Sequence, residues 1–154
     1  VDGYGNGTYT AEGITKLCEG LKSSAVISLE LSNNQLCGLD RWGDGTYTAE
    51  GITKLCEGLK GSAVTSLDVD GHTLQIDQLK GTTPTDKIDI SGKGLGVASV
   101  IIIASCIKEN GVLKELNLGG NRLGLEEGVA LAEGLKGNST LQVLDLELNN
   151  LGPE

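Results

Sequence analysis

Six carboxylates stand at matching places in a repeated pattern along this chain: Glu30, Asp68, Asp89 and Asp145 at one place, Asp70 and Glu147 two residues further on. Acids arrayed on one surface could serve proton transfer or attract a cationic partner. Proton transfer calls for a carboxyl whose pKa is raised by its surroundings, and nothing in the spacing marks such a group. Electrostatic attraction needs only that the acids share an exposed face, and like charges held side by side are relieved by a basic ligand. The six are therefore the candidate partner-binding residues.

Other chemistries find less support. Asp40, Asp44 and Gly45 fall at the first, fifth and sixth places of a calcium loop, and Asp2, Asn6 and Gly7 repeat them. The third place, however, is aromatic (Trp42, Tyr4), and the twelfth is Gly51 or Gly13 where a bidentate Glu is required. A glycine-rich loop carrying Trp42 and Tyr47 over the edge of the fold is the better reading, and both aromatics are candidate partner contacts. His72 is the only histidine, so a Ser-His-Asp or Cys-His mechanism would have to use it. It sits where a turn Asn is expected and reads as a hydrogen-bonding substitute. Cys18, Cys37, Cys56 and Cys106 contain no Cys-x2-Cys clamp for a metal. No phosphate-binding Gly-Lys-Ser or Gly-Lys-Thr loop occurs. No enzyme, no cofactor and no metal site is expected.

The acids owe their spacing to a recurring phrase, aliphatic-x2-aliphatic-x-aliphatic-x2-polar-x-Leu. It begins at Val26, Val64, Thr85, Leu113 and Leu141, at intervals of 38, 21, 28 and 28 residues. Within each phrase the aliphatics alternate with polar residues, as in a strand with one buried face. The outward positions are then Glu30, Asp68, Asp89, Asn117 and Asp145, followed by Ser32, Asp70, Ser91, Gly119 and Glu147. An interval of 28 also leaves room for a strand, a turn and about three helical turns. The stretch after Leu123 places Val129, Leu131, Ala132 and Leu135 on one helical face, and Val97 to Ile107 reads as one buried helix.

Irregularities interrupt the period. Gly-rich insertions occupy residues 1–10 and 37–48, and the run from Gly7 to Lys22 is identical to that from Gly45 to Lys60, so a whole unit is duplicated. The short interval makes residues 75–87 an irregular unit, because Gly81, Thr82, Thr83 and Pro84 leave room for a loop or a single turn only. The whole chain, 1–154, is expected to be one domain, and its start at Val1 suggests a segment of a longer array.

With its 28-residue unit reading Gly-Leu-Glu-Glu-Gly-Val-Ala-Leu-Ala-Glu-Gly-Leu-Lys, the chain resembles the ribonuclease-inhibitor-like class of leucine-rich repeat proteins. The resemblance implies an α/β solenoid, a right-handed horseshoe arc with a parallel β-sheet on its concave face and helices on its convex face. It also implies an intracellular binding protein. His72 and Lys93 depart from the Asn of the pattern, and Thr85 from its first aliphatic.

Twelve basic residues against twenty-one acidic ones give a net charge of -9, which argues against nucleic acid and anionic membranes. The longest apolar run falls well short of the roughly 20 residues of a membrane span, so no direct insertion is expected. The expected role is a non-catalytic protein–protein interaction or scaffolding module whose acidic concave face meets a basic protein surface. The alternative is a structural accessory subunit of a large multi-protein assembly. A GTPase-activating or calcium-binding role has weaker support. Cysteines without a disulfide framework suit an intracellular, reducing setting such as the cytoplasm or an organelle.

Overall fold

Each phrase places one aliphatic at the centre of a three-residue strand. These strands are β1 (Ser28–Glu30), β2 (Ser66–Asp68), β4 (Lys87–Asp89), β5 (Glu115–Asn117) and β6 (Val143–Asp145), with a sixth, β3 (Thr73–Gln75), between the second and third. The computed structural model describes residues 11–38 and 47–152. Their central residues are in register: Leu29 pairs with Leu67 in one sheet, and Ile88 with Leu116 and Leu144 in the other. Residues on either side of these aliphatics turn away from the core, as a two-residue side-chain period requires.

The horseshoe predicted from the sequence is not what forms. The chain is a small mixed α/β fold whose strands make two three-stranded sheets, β1-β2-β3 and β4-β5-β6, rather than one continuous parallel sheet. The second is parallel, but β3 runs antiparallel to β2. The cause lies at Gly71, whose φ of 85° is open to glycine and strained for other residues. Its N–H donates to Asp68 Oδ1 at 2.6 Å, the chain reverses, and Thr73–Gln75 returns along β2. The edge of β2 that β4 would have paired with is thereby occupied.

Helices cover the buried side of the strands. They are α1 (Glu12–Leu21), α2 (Glu50–Leu59), α3 (Ile76–Lys80), α4 (Val97–Ile107) and α5 (Leu125–Gly137). α1 packs on α2, α2 on α4, and α4 on α5, so one aliphatic core runs beneath both sheets. Ile52, Leu55, Ile102, Ile103 and Ile107 are fully enclosed, each contributing about 1.5–3 kcal/mol by burial. α1 and α2 share the sequence EGITKLCEGL but not its burial. α2 lies between two helices and buries Gly51, Ile52, Leu55, Gly58 and Leu59, whereas α1 buries only Cys18 and Leu21. A side chain at Gly58 would collide with Cys18, and one at Gly134 would meet the Ala104 backbone at 2.6 Å. These glycines let neighbouring helices approach.

Two expectations about helix faces change. In α5 the buried residues are Leu131 and Gly134, while Val129 and Ala132 are exposed. Cys56 is half-buried and packs against the edge of the core, whereas its duplicate Cys18 is buried against α2.

Asparagines tie successive turns together. Asn121 Oδ1 accepts from the N–H groups of Lys93 and Leu95, and its Nδ2 donates to the carbonyls of Ile90 and Leu118. Asn149 does the same one unit later, accepting from Asn121 and Leu123 and donating to Leu118 and Leu146. At the opposite ends of the strands, Asn110 and Asn138 bridge helix C-termini to the strands that follow.

Candidate functional site

Strand alternation puts the first carboxylate of each set on the solvent side. Glu30 and Asp68 are direct neighbours across β1 and β2. In the other sheet Asp89 and Asp145 flank Asn117 in register. The sequence suggested one row of five positions; the structure gives two shorter rows, with Thr73 of β3 beside Asp68.

Three of these side chains close local turns with a single oxygen. Asp89 Oδ1 accepts from Ser91 N–H at 3.0 Å and Ser91 Oγ at 2.7 Å, and Asp145 Oδ1 accepts from Glu147 N–H at 2.9 Å. Asp68 Oδ1 takes the Gly71 N–H and the Ser32 hydroxyl. Asn117 makes the equivalent bond to Gly119 N–H at 2.8 Å. At Asp89 the Ser91 hydroxyl, followed by the Ser91 N–H, holds the carboxyl below its ordinary range. Each aspartate is thus oriented by the turn that follows it, with Asp89 exposed and Asp68 and Asp145 half-buried.

Asp70 and Glu147 behave differently from each other. Asp70 Oδ2 accepts from Ser99 N–H at 2.8 Å, three residues into α4, and so caps the positive start of that helix. Glu147 is exposed; its backbone N–H donates to Asp145 Oδ1, and its carbonyl accepts from Gly120 N–H at 2.8 Å. None of the four ion pairs among the described residues uses Glu30, Asp68, Asp70, Asp89, Asp145 or Glu147.

The same face carries a basic group that the acid pattern obscures. Lys87, two residues before Asp89, pairs with Glu115 at 3.4 Å across the register of β4 and β5. Both are exposed, so the pair contributes about 1 kcal/mol or less. It makes the second sheet less acidic at one end of its strands.

The aromatic loop is captured only at its base. Thr48 N–H donates to the Cys37 carbonyl at 2.9 Å, closing the insertion, and Tyr47 stands exposed beside it. Burial, then nearby Cys37, Glu126 and Glu127, raises the Tyr47 hydroxyl pKa. Trp42 lies outside the described residues, as do Tyr4 and the loop acids Asp2, Asp40 and Asp44 with Asn6.

His72 sits in the β2–β3 turn with Nε2 buried and lacking a partner among the described residues. It does not bridge turns as Asn121 and Asn149 do. Cys37 and Cys106 are buried and Cys56 half-buried, and burial lifts their thiols from the ordinary 9.0 to about 12, about 12 and about 11. Protonated at neutral pH, they are poor nucleophiles.

No family model matches the chain, and no curated protein matches it. No helix among the described residues is long and apolar enough to cross a membrane.

Three features had little or no signal in the acid spacing. The Ser32 and Ser91 hydroxyls that orient Asp68 and Asp89 lie at outward positions and were readable from the alternation. The Lys87–Glu115 pair was readable in the same manner. A cavity between α2 and α4 was not, because it depends on residues far apart in the chain.

Proposed function

We propose that this chain is a non-catalytic protein-interaction module whose acidic strand face receives a basic surface of a partner protein. One observation carries the reading: Glu30, Asp68, Asp89 and Asp145 share the solvent side of the strands, and no ion pair among the described residues neutralises them. Complementary charge steers encounter and fixes orientation more than it adds affinity. The net charge of -9 acts in the same direction. The sequence resemblance to leucine-rich repeat proteins, whose known members are mostly binding proteins, is consistent with this role. Four free cysteines support a reducing, intracellular setting.

A titration of the isotopically labelled protein with a lysine decapeptide tests the reading. Amide shifts concentrated in β1, β2, β4 and β6 and lost with added salt are expected. Shifts spread over the helices would refute it.

A second reading, an accessory subunit of a larger assembly, is favoured by the apolar surface at one end of the fold. Leu125 is 75%, Val129 57% and Leu148 80% exposed, all within or just after the last helix and strand, and exposed apolar patches mark interaction surfaces. An assembly held by that surface would survive high salt, whereas a partner held by the acidic face would be released.

A further inference from the structure

The helix layer has a gap. α1, α2, α4 and α5 run ten, ten, eleven and thirteen residues. α3 stops after five, because Gly81 takes a left-handed conformation at its end and Pro84 follows. Between α2 and α4, where α3 is too short to fill the space, lies a cavity of about 240 Å³. Its position within the layer makes it independent of the strand face and of both ends of the fold.

The cavity has two chemical parts. Leu59 and Ile102 are buried, and with the thiols of Cys56 and Cys106 they form an apolar, polarisable lining. Lys60 and Lys80, with Thr82, Ser105 and the acid Glu109, supply the polar lining. Lys80 Nζ donates to the Leu59 carbonyl at 3.0 Å, which fixes the ammonium near the cavity while two of its three protons are not used by that bond. No ion pair among the described residues engages Lys60, Lys80 or Glu109. The lining therefore carries one excess positive charge in a protein whose net charge is -9.

We propose that this cavity binds a small amphiphilic carboxylate, its short acyl chain against Leu59, Ile102 and the thiols, its head at Lys60 and Lys80. The volume sets the size of the ligand, since it falls below the roughly 300 Å³ at which ordinary ligand pockets begin. Charge sets the sign of the head. Thiols that stay protonated at neutral pH add no negative charge to repel it. No group of three His, Cys, Asp or Glu side chains suited to a metal ion occurs among the described residues, so the two thiols have no such companion.

The test is an NMR titration of the intact chain with sodium hexanoate, with hexylammonium and with inorganic phosphate as comparators. Saturable amide shifts in α2 and α4 are expected with hexanoate, with little response to hexylammonium and a weaker one to phosphate. Lys60→Gln, at an exposed position, should weaken hexanoate about fivefold, the scale of one partly solvated ion pair. Glu109→Gln should tighten it. No saturation with hexanoate, equal binding of hexylammonium, phosphate binding as well as hexanoate, or indifference to Lys60→Gln would each overturn the proposal.

Discussion

Thr73 stands beside Asp68 in the register of an antiparallel pair, on the edge of β2 that the next parallel strand, carrying Asp89, would otherwise have occupied. This one juxtaposition divides the strands into two sheets and the carboxylates into two rows. It depends on the reversal at Gly71. An added Cβ there meets nothing within 4 Å, so a substitution acts through the backbone alone. Gly71→Ala is expected to cost about 1–2 kcal/mol, seen as a Tm lowered by roughly 3–6 °C. An unchanged Tm would show that the turn does not need a positive φ.

Asn121 is 2% exposed and satisfies backbone groups on two neighbouring turns. Replacing it with Ala leaves buried donors and acceptors without partners, at about 1–3 kcal/mol each before relaxation. A loss near 3 kcal/mol in denaturant unfolding is expected for Asn121→Ala. Among the described residues Asn34, at the exposed equivalent position, donates to the carbonyls of Leu31 and Ser32 alone. Asn34→Ala should cost less than about 1 kcal/mol.

The Asp89 carboxyl is held below its ordinary range first by the Ser91 hydroxyl. Ser91→Ala should move it back upward, because the largest of the groups that favour the charged form is removed, leaving the backbone N–H and Lys93. Carbon-detected NMR titration of the side chain measures this directly. The sign for stability follows from linkage: a depressed folded pKa contributes above the unfolded pKa and loses that contribution as pH falls through the folded value. In Ser91→Ala the corresponding acid-side loss should be smaller and complete at higher pH.

Thiols raised by burial make the opposite prediction at high pH. Cys106 and Cys37 lie at about 12 and Cys56 at about 11, against an ordinary 9.0. Between those values the unfolded chain loses thiol protons that the native state keeps, so stability falls as pH rises above 9.0. At neutral pH these thiols should react with Ellman's reagent far more slowly than after denaturation. Fast labelling of Cys106 in the native protein would contradict its burial.

The strands were legible because Leu29, Leu67, Ile88, Leu116 and Leu144 alternate with polar residues, and α4 because eleven nearly unbroken apolar residues must be buried. β3 was not legible. Thr73–Gln75 is too short to show a period, and the repeated phrase assigns Leu74 to a turn; the outcome turns on which strand reaches the edge of β2, a contest between distant segments. Alternation correctly turned Asp70 away from the core yet could not reveal its bond to Ser99, 29 residues on. Lys87 shared the face with Asp89 in plain view of the same alternation. The cavity beside α3 follows from a helix stop that Gly81 and Pro84 announce, but its lining comes from α2 and α4.

The acidic face is tested most directly by the affinity of a lysine decapeptide, measured by calorimetry at low salt for two double variants of equal net charge. Asp68→Lys with Asp89→Lys reverses the strand face, while Glu19→Lys with Glu133→Lys reverses exposed positions on α1 and α5. The strand-face variant should lose about tenfold or more, and the helix variant about twofold, because screening confines the effect to nearby charges. Equal losses in the two variants would mean that only the overall charge is felt, and that these strands hold no site.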